Sequence, residues 1–315
     1  MESPWDPEGV EICLQADGAL SDPKLAEGVD LRALYKRLVA ARCLDLRLTR
    51  SGLPMWVSSA GEEAVALVCS QLLKDHEWLY PGSRELSALP LRGLDLDEFM
   101  RQVAGHQTAD SSGYNGRPGA VSGPDVWVAH APESLGMHLA MAAGQAHAER
   151  IRGTKRAVIA TLGEGMTTVG IYRETLAMAA ACDLPLVLVI KSQLWPDGAP
   201  AEAGVLGESV SDRARALGIW SRRTDGADVL GVYRAIALAL KRARENRGPG
   251  VVEVVVTQLA HAKDAPAHRD PVERLRCHLD SAGVWTPTFQ DVVEAEARGQ
   301  LERACETAGL GGRHA

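Results

Sequence analysis

The chain has 315 residues, 46% of them hydrophobic and 24% charged, with a formal net charge of −7. This is an ordinary composition for a globular protein, with length enough for a sizeable core. The acidic balance argues against nucleic acid or an anionic membrane surface as a partner.

The N-terminal stretch MESPWDPEG is acidic, proline-broken and free of any apolar run, so no secretory signal is expected. The longest purely apolar run, LPLVLVI at 184–190, is far short of a membrane span. A cytoplasmic protein is expected. Its six cysteines are widely spaced and contain no CxxC, which points to free thiols and not to zinc.

Residues 1–29 carry few periodic apolar positions and read as an N-terminal arm. Asp30 then precedes Leu31, Leu34, Tyr35 and Leu38, the pattern of a capped amphipathic helix. GEEAVALVCSQLL (61–73) reads as a second helix, with two acids in its first turn. Residues 108–126 are rich in Gly, Ser, Asp and Pro and read as a long loop. SLGMHLAMAAGQAHAER (134–150) suits a small-residue helix that packs closely.

From there apolar strands and helices alternate. Strands are expected at 157–163, 184–191, 219–226 and 251–257, and helices at 168–182 and 229–248. Helices at 271–282 and 289–307 close the chain. This alternation predicts an α/β fold, a mainly parallel sheet with helices on both faces. The expected organisation is the arm (1–29), one main domain (30–284) and a helical extension (285–315).

In such sheets, ligands sit beyond the carboxyl ends of the strands. Glu164 and Gln193 both fall there, after two successive strands that a crossover helix sets side by side. A carboxylate and an amide oxygen at one point suit Mg²⁺, at about 2.1 Å each, with phosphate oxygens completing an octahedron. Gly163 and Gly165 allow a phosphate to approach the backbone, and the following helix N-terminus favours an anion. The competing explanation is a plain strand–helix–strand connection with solvated polar ends.

At GEGMTTVGIYRETLAMAAACDLP (163–185) and KSQ (191–193) the chain resembles the G-D/E-G…N-N motif of thiamine diphosphate-binding enzymes. More narrowly, it is similar to the alpha subunit of the decarboxylating component of 2-oxo acid dehydrogenases. The blocks SSAGEEA (58–64), YPGSRELS (80–87), NGRPG (115–119), DGADVLGVYRA (225–235) and DPVERLRCHL (270–279) occur in the family's order. The resemblance implies a thiamine-diphosphate-binding fold. The implied cofactors are thiamine diphosphate and Mg²⁺, and a small 2-oxo acid is the implied substrate. It implies a beta subunit as partner in an α₂β₂ assembly, which supplies the glutamate that activates the aminopyrimidine.

Carried over by position, the resemblance implies Glu164 and Gln193 as metal ligands, with the main-chain carbonyl of Trp195 as a third. Arg84 and Lys191 become diphosphate-binding cations. His261 faces the diphosphate and the reaction centre as the catalytic candidate, and Leu135 packs near the aminopyrimidine. Each has a plainer explanation. Arg84 stands beside Glu85 and suits a surface ion pair, Lys191 suits a solvated strand end, His261 a loop histidine, and Leu135 ordinary core. His130 and His138 receive no role.

The chain departs from the family at three places. Ser192-Gln193 replaces the Asn pair, and Ser122 stands where a histidine is usual. Only AKDAPAHR (262–269) separates His261 from the D-P-x-x-R helix, where relatives have a longer loop that meets a lipoyl-bearing acyltransferase. Three functions follow as expectations. The first is an active dehydrogenase alpha subunit. The second is a degenerate alpha-type subunit acting as a scaffold or regulator. The third is a thiamine-dependent enzyme with a non-lipoyl acceptor.

Overall fold

The computed structural model describes residues 4–52, 56–105, 123, 125–131, 134–194 and 209–310. Trp195, Ser122 and the NGRPG block lie outside the described residues.

Helix α1 (Leu31–Arg50) begins where Asp30 accepts a hydrogen bond from the Ala33 amide at 3.0 Å. Then come α2 (Glu63–Leu72), the short strand β1 (Trp78–Tyr80), α3 (Ala88–Leu91) and α4 (Leu96–Val103). Helix α5 (Met137–Ile151) leads into β2 (Val158–Gly163), α6 (Gly170–Ala181) and β3 (Leu186–Gln193). The chain continues through α7 (Val210–Ala216), β4 (Trp220–Asp225), α8 (Val229–Arg244), β5 (Gly250–Val256), α9 (Pro271–Ser281) and α10 (Pro287–Thr307).

The five strands form one sheet in the order β1-β2-β3-β5-β4, and every pairing is parallel. The α/β fold expected from the sequence is therefore present. Its strands are continuous apolar runs because both faces are covered. Alternate side chains of β2, β3 and β5 enter different cores. Ile159, Val187, Val189, Val252 and Val254 pack with α1, α2 and α8. Val158, Ala160, Leu186, Leu188, Ile190 and Val251 pack with α5, α6 and α7. The period-2 pleat makes this division automatic.

Four elements escape a reading of periodicity, among them α3 with four residues and α4 with eight. Strand β1 has three residues, and α7 has seven, each too short to show a period. The expected start of α6 also shifts. A 3₁₀ turn, Glu164–Thr168, follows β2, and α6 begins only at Gly170.

Within residues 4–29, the amides of Cys13 and Leu14 donate to Asp228 Oδ2 at 2.5 and 2.9 Å. Arg274 Nε donates to the Gln15 carbonyl at 3.0 Å, and Glu11 bridges in parallel to Thr224 of β4. Asp225 at the end of β4 lies 2.7 Å from both Arg269 and Arg274, all three being buried.

Candidate functional site at the carboxyl edge of the sheet

Parallel pairing brings the carboxyl ends of β1, β2, β3 and β5 to one edge. Gly163 stands opposite Lys191, and Gln193 opposite Val256. Glu164 therefore follows the end of one strand while Gln193 ends its neighbour. The Gln193 side chain donates from Nε2 to the Leu194 carbonyl at 3.1 Å. Its Oε1 is buried and has no hydrogen-bond partner among the described residues. A buried acceptor left this way carries a desolvation cost, which a ligand would relieve.

At Gly163 and Gly165 an added Cβ would meet no atom of the described residues within 4 Å. Space beside the backbone is thus open on both sides of Glu164. The 3₁₀ turn fixes this segment, where the Thr168 hydroxyl donates to the Gly165 carbonyl at 2.8 Å. It also sets the α6 N-terminus back from the strand end, so backbone amides of the turn are nearer the edge than those of α6. Among the described residues, no group of three or more His, Cys, Asp and Glu side chains is arranged to hold a metal. A cation at this edge would need amide, carbonyl, phosphate or water oxygens beside Glu164.

Lys191 is not a solvated strand end. It is 6% exposed, and its ammonium meets Glu62 Oε2 at 2.6 Å and also pairs with Glu85. Burial alone would lower the Lys191 value, but Glu62 and Glu85 raise it above the ordinary lysine range. Burial alone would raise Glu85, but Lys191 and the Thr161 hydroxyl hold it below the ordinary carboxylate range. Both shifts keep the pair charged. Glu85 thus finds its partner in Lys191, and not in the adjacent Arg84 as a surface ion pair would require.

The cluster extends further. The Thr161 hydroxyl donates to Glu85 Oε2 at 2.7 Å and accepts from the Gly82 amide at 2.8 Å. Buried His138 lies with Nε2 2.9 Å from the Thr161 carbonyl. Burial pushes the His138 value down, so the ring is neutral and Nε2 carries the proton it donates. Sequence reasoning missed Glu62, Glu85, Thr161 and His138 as a unit. The GEE and SRE blocks named the acids, but nothing local showed that both reach one lysine on β3.

Arg84 is placed differently. Its Nε donates to the Ser58 carbonyl at 3.2 Å and lies 3.8 Å from Glu62 Oε1. Among the described residues its two terminal amino groups have no partner, and its side chain is 28% exposed. The guanidinium is anchored at one edge and open at the other.

His261 is exposed on the loop leaving β5, with its amide donating to the Gln258 carbonyl at 2.9 Å. That loop is tied to the 58–62 segment, because the Leu259 amide donates to the Ala60 carbonyl at 3.0 Å. Leu135 is 59% exposed, ahead of α5. Its neighbour Gly136 has φ +83°, and a Cβ there would lie 2.7 Å from Ile171 of α6. Glu164, Gln193, Arg84 and His261 thus gather at one edge of the sheet, Leu135 precedes a helix packed on the start of α6, and Lys191 lies beneath.

An all-parallel sheet with polar donors collected at its carboxyl edge defines an α/β protein of the ligand-binding kind. A model of the family described as dehydrogenase E1 component matches residues 35–312, and the chain belongs to that family. The pyruvate dehydrogenase E1 component subunit alpha of Bacillus cereus is 28% identical over 306 residues, spanning 91% of this chain and 79% of that protein. The 3-methyl-2-oxobutanoate dehydrogenase subunit alpha of Mycobacterium tuberculosis is 28% identical over 286 residues, spanning 85% and 75%.

Proposed function

We propose that this chain, an alpha subunit of a thiamine diphosphate-dependent 2-oxo acid dehydrogenase, holds the cofactor's diphosphate through Mg²⁺ at the ends of β2 and β3. The observation that carries the proposal is the buried Oε1 of Gln193, without a hydrogen-bond partner among the described residues, on the strand next to the one that Glu164 follows. An amide oxygen in that position would serve as a ligand to Mg²⁺. Glutamine reaches farther than the family's asparagine, and with Glu164 it would offer Mg²⁺ one amide and one carboxylate oxygen. The Trp195 carbonyl is the third protein ligand that the resemblance implies.

When bound, thiamine diphosphate supplies the carbon nucleophile and electron sink for decarboxylating a 2-oxo acid. This chain's residues bind and orient it. Arg84 offers its open amino groups to a phosphate oxygen pair, the fork geometry that favours arginine over lysine. Gly163 and Gly165 leave room for the phosphates. Lys191, offset by two carboxylates, offers little net attraction to an anion and serves as the buried tie beneath the site. His261, exposed on the loop after β5, would exchange a proton with a bound group, and Leu135 would offer an apolar surface to the aminopyrimidine.

A beta subunit completes the site in an α₂β₂ assembly. The outer side of α5 suits such a partner, since Met137, Met141 and Ile151 are exposed there and Gly144 leaves open space. The two relatives differ in their named 2-oxo acid and are equally similar to this chain, so the substrate is proposed only as a small 2-oxo acid.

The test is a calorimetric titration of thiamine diphosphate into the chain co-purified with its beta subunit. Tight binding with Mg²⁺, lost with chelator and weakened in Glu164→Ala, supports the proposal. A folded complex that binds no cofactor refutes it. Reductive acylation of lipoamide by the loaded complex then separates a lipoyl acceptor from another one.

A further inference from the structure

Glu62 lies between two cations of opposite exposure. Its Oε2 is 2.6 Å from the buried Lys191 ammonium, and its Oε1 is 3.8 Å from Arg84 Nε at the site edge. Glu62 is 2% exposed, and among the described residues its Oε1 accepts no hydrogen bond. A buried carboxylate oxygen without a donor is costly, and packing alone does not account for it.

Lys191 does not need Glu62 for neutrality, because Glu85 pairs with it too. Glu85 is in turn bonded by the Thr161 hydroxyl, so its orientation is fixed independently. The Glu62 charge is therefore surplus to Lys191, and among the described residues the other cation within 4 Å of it is Arg84. Arg84 spends only Nε on the protein, through the Ser58 carbonyl. A guanidinium held at one edge and open at the other is preorganised for a phosphate group.

We propose that Glu62 is a positioning residue. Clamped by Lys191, its charge draws the Nε edge of Arg84 inward across 3.8 Å, alongside the Ser58 carbonyl that takes the Nε proton, so that the two terminal amino groups face the cofactor's diphosphate. This rests on the diphosphate role given to Arg84 above. Glu62 itself touches no ligand, so its effect exists only where Arg84 is present. Its charge acts in the opposite direction, because removing an anion near a phosphate site strengthens phosphate binding by simple electrostatics. A loss of affinity on removing Glu62 is thus the signature of lost orientation.

A double-mutant cycle tests this on the full-length chain co-purified with its beta subunit. Thiamine diphosphate affinity is measured by calorimetry with Mg²⁺, and the melting temperature is recorded in parallel. Glu62→Ala is expected to weaken binding about tenfold, equivalent to about 1.4 kcal/mol. The same change in an Arg84→Ala background is expected to alter affinity less than twofold. Equal losses in both backgrounds, or unchanged or tighter binding in Glu62→Ala alone, would overturn the assignment. Glu62→Met keeps volume without an acceptor and decides the cycle if the alanine variant does not fold. Should Arg84→Ala bind as well as wild type, the diphosphate reading of Arg84 fails instead, and the two failures are distinct.

Discussion

Lys191 Nζ lies 2.6 Å from Glu62 Oε2, inside the sheet's carboxyl edge and not at its rim. The contact joins β3 to the segment that leads into α2, while Glu85 joins the same ammonium to the turn after β1. One charge thus ties three chain segments under the site. Replacing it by Lys191→Met leaves two buried carboxylates facing each other. A loss of about 3–5 kcal/mol in urea unfolding is expected, as for other buried pairs broken on one side. A loss under about 1 kcal/mol would mean that the cluster is solvated in solution.

Gln193 has the reverse profile. Its Oε1 bonds nothing among the described residues, so Gln193→Ala should cost less than about 1 kcal/mol of stability. Mg²⁺-dependent cofactor affinity should fall at least about tenfold, or about 1.4 kcal/mol. Calorimetry of the same sample used for unfolding separates the two effects. A variant that loses stability and keeps affinity would place the amide in the fold and outside the metal site.

Asp225 sets an acid limit on stability. Burial alone would raise its value, but Arg269 and Arg274 hold the carboxyl below its ordinary 3.8. A folded value below the unfolded one stabilises the fold above 3.8, and this contribution is lost as pH falls through the folded value. The stability gap between wild type and Asp225→Asn should therefore be widest near neutrality and shrink as pH falls below about 4. Urea unfolding across pH 3 to 7, roughly the carboxylate titration range, measures it. A gap constant with pH would contradict the assignment.

Gly61 is required by shape. Its φ is +91°, and an added Cβ would lie 2.0 Å from the Thr257 carbonyl oxygen. Gly61→Ala must therefore separate the 58–62 segment from the loop that carries His261. A stability loss of at least about 2 kcal/mol is expected in thermal unfolding, with cofactor affinity reduced in whatever remains folded. Wild-type stability would show that the two loops part freely.

The fold was legible because its signal is repetitive. LPLVLVIK and VVEVVVT are continuous apolar runs bounded by helices of whole turns, a pattern that few arrangements besides a covered parallel sheet can bury. That the ends of β2 and β3 lie side by side, one followed by Glu164 and the other closed by Gln193, was legible for the same reason, since a right-handed crossover sets successive parallel strands together. Strand β1 was not legible, because three residues show no period. Its absence hid the turn that carries Arg84 and Glu85 to the site.

The sequence by itself determined which residues reach the carboxyl edge, because strand direction and crossover handedness are local and chiral. It did not determine which of those residues face a ligand and which face one another. Lys191 and Arg84 are both basic residues at strand ends, and nothing nearby in the chain tells them apart. Tertiary structure decided it by bringing Glu62 and Glu85 from separate segments onto Lys191, while leaving Arg84 held at one edge only. Coulombic partners in a low-dielectric interior are chosen by distance in space, and a linear sequence does not carry that distance.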